Sequence, residues 1–381
     1  MNSLISILIV FTLAVPLWSE PVWAKGDVVK RDTDNDGKID QIVYFDEGGK
    51  IIKLEIDSNS DGHMDRFQYY EDEQVIRIET DSNHDHKIDQ WDEFEEGKRV
   101  RQKRIDTDGD GFLETISLFR KGKLFLQTQD KNRDRKADLK IYFDSAGEKE
   151  RVGCDSDLNS EVDTWQYYKS GRLVELRRDE RGTGKIDLIV YYKDGKSVKL
   201  IRDDDQDGRF ELTQYFNRPT WSVVMELDQD GNGIPEIRHY YRDGVLRLKE
   251  IDKRGDGHPD LREHYGKDGR LRKSEEDEGH TGHLNITWFY NYEEKAIRAE
   301  RDTNADGQID TWYHYENGRV KAVEEDTNGD GKPDLWEEYD ARETLIRRAK
   351  DLNFDGIPDL EDIQDAGIDE SSTPCGQTSK R

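Results

Sequence analysis

The chain has 381 residues, of which 33% are hydrophobic and 38% charged, too little apolar surface for conventional globular cores along its whole length. Aromatic residues make up 10% and recur at fixed intervals, which argues against simple disorder. The formal net charge of -27 argues against a nucleic-acid partner, which needs a basic stripe, and calls for cations to offset self-repulsion.

Residues 1–24 read as a secretion signal. An uncharged apolar run from Leu4 to Leu17 is shorter than the roughly 20 residues of a membrane span, and Val22-Trp23-Ala24 offers small residues for cleavage after Ala24. No Lys or Arg precedes the run, so an uncleaved anchor is the alternative. With cleavage the mature chain has no membrane span, and its expected location is exported: periplasmic, cell-surface or extracellular.

From Asp32 onward one phrase organises the chain. DTDNDGKID, Asp32 to Asp40, returns with starts at Asp57, Asp81, Asp106, Asp130, Asp155, Asp179, Asp203, Asp228, Asp252, Asp277, Asp302, Asp326 and Asp351, always 24 or 25 residues apart. No linker interrupts the series, so the sequence predicts one continuous repeat domain of 14 units over 26–363 and a flexible tail over 364–381. In the first unit Ile39 to Phe45 reads as a strand, Glu47-Gly48-Gly49 as a turn and Ile51 to Ile56 as the return strand. The same grammar closes the series, where Trp312, Tyr313 and Tyr315 precede Glu316-Asn317-Gly318. The predicted fold is all-β: tandem hairpin repeats in an antiparallel meander of roughly 27 strands, coiled into a superhelix or solenoid, with loops between hairpins.

The fourteenth residue of each full unit is aromatic, from Phe45 and Tyr70 to Tyr315 and Tyr339. Such spacing predicts a ladder on one side of the sheet that stands in for a globular core. Trp91, Trp165, Trp288, Trp312 and Trp336, read as the eleventh residues of their units, are expected on the opposite face, where they would suit a cell-surface glycan or protein partner.

The loops offer oxygen at their first, third, fifth and ninth positions, with a carbonyl near the seventh and Gly at the sixth for the bend. That is the donor set of calcium, a hard cation taking six to eight oxygens. Eleven loops keep acidic or amide residues at all four positions. In the first half of the chain they are Asp32, Asp34, Asp36 and Asp40; Asp57, Asn59, Asp61 and Asp65; Asp81, Asn83, Asp85 and Asp89; Asp106, Asp108, Asp110 and Glu114; Asp130, Asn132, Asp134 and Asp138; and Asp155, Asp157, Asn159 and Asp163. Further on they are Asp203, Asp205, Asp207 and Glu211; Asp228, Asp230, Asn232 and Glu236; Asp302, Asn304, Asp306 and Asp310; Asp326, Asn328, Asp330 and Asp334; and Asp351, Asn353, Asp355 and Asp359. His86, Arg135 and Ser160 replace Gly at the sixth position of three of them, which predicts a strained turn or weaker affinity. Three other loops have lost ligands, to Arg181 and Thr183, to Arg254, and to Gly279 and Thr281, and little or no calcium is expected there. An Arg in such a loop supplies the positive charge that the ion would have brought. Removal of residues 1–24 takes away Glu20 and leaves -26, which eleven calcium ions would bring to -4.

The loop resembles an EF-hand over its first six positions, but the twelfth, occupied by Val43, Gln68, Asp92 or Tyr313, lacks the bidentate Glu, and strands flank the loop in place of helices. The nine-residue pattern is similar to the DxDxDGxxD loops of thrombospondin type 3 repeats and of integrin-type propeller blades. The aromatic pairs followed by a Gly turn resemble the YD repeats of bacterial Rhs proteins. These resemblances imply a bacterial exported or surface calcium-repeat protein. Thrombospondin type 3 repeats carry cysteines this chain lacks, and propeller blades need a longer period, so neither fold transfers.

Cys154 and Cys375 are too few for a disulfide framework. The nine histidines are scattered, and His280-Thr281-Gly282-His283 lacks a third ligand for zinc. Phosphate loops and nucleophile elbows are absent from the sequence, so no enzyme is expected. The reading is a calcium-binding exported protein with a structural or adhesion-type scaffold role, and the second reading is a glycan- or protein-binding module.

Overall fold

The computed structural model describes residues 26–363, in two compact units with the boundary at Val162 and Asp163, inside the sixth loop. The expected signal segment and the tail with Cys375 lie outside the described residues. Every regular element described is a strand, 28 in all, and no helix of the described residues is long and apolar enough to cross a membrane.

In the first unit β1 (Val28–Arg31), β2 (Gln41–Phe45), β3 (Ile51–Ile56), β4 (Arg66–Glu71) and β5 (Gln74–Thr80) pair antiparallel, each with the next, and the meander continues to the strand Lys149–Cys154. The second unit repeats the pattern from Thr164–Lys169 to Leu360–Ile363. Among the described residues of each unit, strands touch only their sequence neighbours, so each sheet is a single open layer. This is the antiparallel hairpin meander that the repeat predicts. The first predicted strand is two residues too long: the Asp40 N–H bonds to the Arg31 carbonyl at 2.9 Å to close the loop, so Ile39 and Asp40 belong to it.

Nine-residue loops join the strands at one end and short turns at the other. Consecutive loops are therefore two strands apart, about 9.6 Å at ordinary strand spacing. At the turns glycine is sometimes obligatory. Gly97 has φ +61°, and a Cβ there would lie 2.6 Å from Gln74 Cβ.

A single-layer sheet buries few apolar side chains, here Ile78, Leu188, Ile286, Ala299, Val323 and Ala349. Its most buried groups are loop carboxylates: Asp81 is 3% exposed, Asp203 2%, Asp252 and Asp351 1%. What the low apolar content forbids in the sheet is replaced by polar organisation in the loops.

In each hairpin except that of Phe216 a bulge falls between the thirteenth and fourteenth residues, as between Tyr69 and Tyr70. The fourteenth side chain lies on the face of the twelfth. Tyr70 donates its hydroxyl to Gln68 at 2.8 Å, and Tyr168 to Gln166 at 2.7 Å. Phe67 and Tyr69, the eleventh and thirteenth, share the other face, where the Lys53 ammonium lies 5.1 and 5.4 Å from their rings. The two-faced expectation holds for these positions but fails at Trp288. It stands twelfth in its unit and packs with Tyr315 on the ladder face, ring centroids 5.6 Å apart.

Candidate metal centres along the loops

Each loop is closed by its own carboxylates. In the first, Asp32 accepts the Gly37 N–H at 2.9 Å, Asp34 that of Asp36 at 3.0 Å, Asp36 that of Lys38 at 2.7 Å, and Asp40 that of Thr33 at 2.6 Å. The pattern returns in the second loop, where Asp57 accepts Gly62 N–H at 2.7 Å and Asp65 accepts Ser58 N–H at 2.8 Å, and in the last, where Asp351 accepts Gly356 N–H at 2.6 Å. Neighbouring loops are tied by backbone: Asp57 N–H donates to the Asp40 carbonyl at 2.8 Å, and Asp81 N–H to that of Asp65 at 2.8 Å.

In three loops this folding gathers one oxygen from each predicted ligand. Single oxygens of Asp32, Asp34, Asp36 and Asp40 lie within 4.8 Å of one another, and so do those of Asp106, Asp108, Asp110 and Glu114, and of Asp203, Asp205, Asp207 and Glu211. Calcium–oxygen distances of about 2.4 Å make the ligand shell about 4.8 Å across, so these sets match one ion's shell. Four inward oxygens, Asp32 Oδ1, Asp40 Oδ1, Glu211 Oε1 and Asp302 Oδ1, are buried without a hydrogen-bond donor among the described residues. An unpaired buried carboxylate oxygen is costly, and a cation is the partner that satisfies it.

The predicted ligands of the loops starting at Asp32, Asp57, Asp81, Asp106 and Asp130 sit together in the first unit, and those of the loops at Asp203, Asp228, Asp302, Asp326 and Asp351 in the second. Asp155, Asp157 and Asn159 belong to the first unit and Asp163 opens the second. Within the first, Asp155 accepts the N–H groups of Asn159 and Ser160 at 3.1 and 2.7 Å.

One functional position escaped the sequence reading. The fourth residue of every loop has positive φ, at Ser60 (59°), His84 (61°), Arg133 (66°), Gln206 (63°) and His280 (58°) as well as at glycines such as Gly109 and Gly329. Those recurring glycines were the available signal. The turn aims the fourth side chain at the preceding loop. Ser60 Oγ reaches Asp34 at 3.4 Å, His84 Nδ1 lies 3.8 Å from Asp65, and Gln206 Nε2 lies 3.4 Å from Asp187. Arg133 goes furthest: its guanidinium meets Asp108 and Asp110 at 2.5 Å each and lies 3.9 Å from Glu114, three of the four ligands of the fourth loop.

The ligand-poor loops keep the same fold. In the tenth, Arg254 Nε lies 2.7 Å from Asp260 and its Nη2 2.8 Å from Asp277 at the head of the eleventh. There the Thr281 hydroxyl donates to Asp277 at 3.0 Å, and Asn285 takes the ninth position's role by accepting Glu278 N–H at 2.7 Å. Arg181 donates to the Asp204 carbonyl of the next loop.

Burial pushes the Asp277 carboxyl up, but the N–H groups of Thr281 and Gly282, the Thr281 hydroxyl and the Arg254 guanidinium outweigh it and hold the carboxyl below its ordinary value. A depressed folded pKa gives stability that is fully present above the unfolded value, about 3.9, and lost as pH falls through the folded one. In metal-free buffer the melting temperature is therefore expected to hold its Asp277 contribution down to about pH 4 and lose it in stronger acid. Asp277→Asn should lower melting at pH 7 and flatten that acid limb, as thermal unfolding followed by circular dichroism would record.

No family model matches the chain, and no curated protein matches it. Among solved structures it is similar to TcdB2-TccC3-TEV at 9% identity and TM-score 0.20, over 85% of this chain and 20% of that one. TcdB2-TccC3 without its hypervariable C-terminal region gives 12% and 0.19 over 86% and 22%, and a Tc holotoxin pore of Photorhabdus luminescens gives 11% and 0.18 over 85% and 24%. The chain thus spans about a fifth to a quarter of those chains.

Proposed function

We propose that this chain is an exported calcium-binding repeat protein with a structural or adhesion-type scaffold role, in which calcium stabilises the array of hairpins. The observation that carries the reading is the set of buried, donorless carboxylate oxygens aimed into loops whose ligands span one calcium shell. Three further features support a structural role. The loop backbone is held by its own carboxylates, no helix pair of the described residues flanks a loop to swing open, and the surplus negative charge is of the size that filled loops would neutralise. Extracellular calcium modules bind at about 0.1–1 mM, which suits a protein loaded outside the cell.

The test is metal content. Flow dialysis of the purified chain against about 10 mM calcium is expected to give close to eleven ions per chain, with the fourth loop the weakest. A value near zero overturns the proposal. Equal binding after Asp→Ala changes at the first position of several loops would mean that the ions sit elsewhere.

A further inference from the structure

We propose that His63, His86 and Asp61 form a site for one borderline divalent transition metal such as zinc, nickel or copper, bridging the second and third loops, with Asp61 turning Oδ1 toward His63 while its Oδ2 stays beside Asn59 in the second loop. The loops' all-oxygen sets select hard cations, whereas this group joins two imidazoles and one carboxylate, donors that favour borderline ions. His63 is the seventh residue of the second loop and His86 the sixth of the third, so they come from successive loops that strand spacing brings side by side. Their ring centroids are 4.1 Å apart with planes 38° apart, and His63 Nδ1 lies 3.3 Å from Asp61 Oδ1. One donor atom from each of the three residues lies within 4.8 Å of the others.

The fold explains why a side chain at the sixth position reaches this place. At the matching position three repeats further on, Ser160 Oγ bonds to Asp134 at 2.5 Å, the fifth-position carboxylate of the loop before it. His86 holds the same relation to Asp61. Eight of the eleven ligand-complete loops use Gly at the sixth position, yet His86 holds φ +70° there, a conformation a Gly would adopt at less cost. Arg135 and Ser160 hold φ +70° and +77° at the same position of their loops, so the fold accepts a side chain there and directs it to the preceding loop. His84 faces the other way, toward Asp65, and takes no part. All three donors are solvent-accessible, so water completes the coordination shell and the metal exchanges readily.

Zinc titration of the full chain by calorimetry, once without calcium and once in calcium sufficient to fill the oxygen loops, tests the site, because Asp61 is offered to both metals. Wild type is expected to take up one zinc equivalent that His63→Gln and His86→Gly each abolish, while His84→Ala and His280→Ala keep it. His86→Gly places at that position the residue its backbone favours, and unchanged circular dichroism would confirm that its loop is intact. Copper bound in place of zinc should show two-nitrogen hyperfine coupling in its electron paramagnetic resonance spectrum, reduced in either variant. Absence of a zinc equivalent in wild type, or a zinc equivalent unaffected by His63→Gln and His86→Gly, overturns the proposal. If the chain binds zinc in this way but no calcium, only the reading of the oxygen loops fails.

Discussion

Removing divalent cations with EDTA at neutral pH is expected to lower the melting temperature of this protein by tens of degrees, and readdition of calcium to restore it. The size follows from mass action. With 10 mM calcium and sites of about 0.1–1 mM, each filled loop gains about 1.4–2.7 kcal/mol. In a linear array each unit leans on its neighbours, so a block of five adjacent loops gains about 7–14 kcal/mol, as much as the whole stability of an ordinary domain. There is little else to hold the sheet, since the fully buried apolar side chains are so few. The first unit should suffer most. Its loops from Asp32 to Asp138 are all ligand-complete, whereas the second unit contains the three ligand-poor loops, which hold their shape through Arg254, Thr281 and Asn285. Limited proteolysis in EDTA is therefore expected to cut first within the first unit and last near the tenth and eleventh loops. An unchanged melting temperature and digestion pattern in EDTA would sink the calcium reading.

The period, the all-β meander and the loop positions whose carboxylates gather could be read from the sequence because each is local. Gly37 and Gly62 mark the bend, Asp40 and Asp65 sit at a fixed distance from the loop start, and strand and turn residues announce themselves by type. What was not legible depends on what two loops do to each other. The fourth residue carries no uniform chemistry, being Asn35, Ser60, His84, Gly109 or Arg133, and only its shared positive φ, with the reach of Ser60, His84 and Arg133 to the preceding loop, marks it as one position. The bulge before the aromatic is likewise silent in sequence, because it is set by fitting a hairpin turn to a fixed loop spacing. Trp288 shows the cost of reading faces by count: one residue out of step moves a side chain across the sheet.

Arg133 and Arg254 both lie between carboxylates of successive loops, and their removal is expected to have opposite consequences for metal. Arg254 serves a loop that has lost its own third ligand, because Arg254 is that third residue. Arg254→Ala leaves Asp260 and Asp277, 7% and 5% exposed, without the guanidinium that joins them, with only His280 Nδ1 near Asp260 at 3.7 Å and too few ligands to recruit a metal. The expected result is a lower melting temperature that calcium does not rescue. Arg133 instead lies over a loop that keeps Asp106, Asp108, Asp110 and Glu114. A unit positive charge about 4 Å from a divalent ion opposes it by about 2 kcal/mol even at the dielectric of water. Arg133→Ala should therefore tighten calcium at the fourth loop by roughly thirtyfold at low salt, and the variant should lose stability in EDTA but recover it in calcium. Calcium titrations of the two variants separate the cases. If Arg133→Ala leaves the weakest calcium affinity unchanged, the guanidinium does not compete with the ion. If Arg254→Ala is rescued by calcium as fully as Arg133→Ala, the tenth loop retains a metal site that its ligands do not predict.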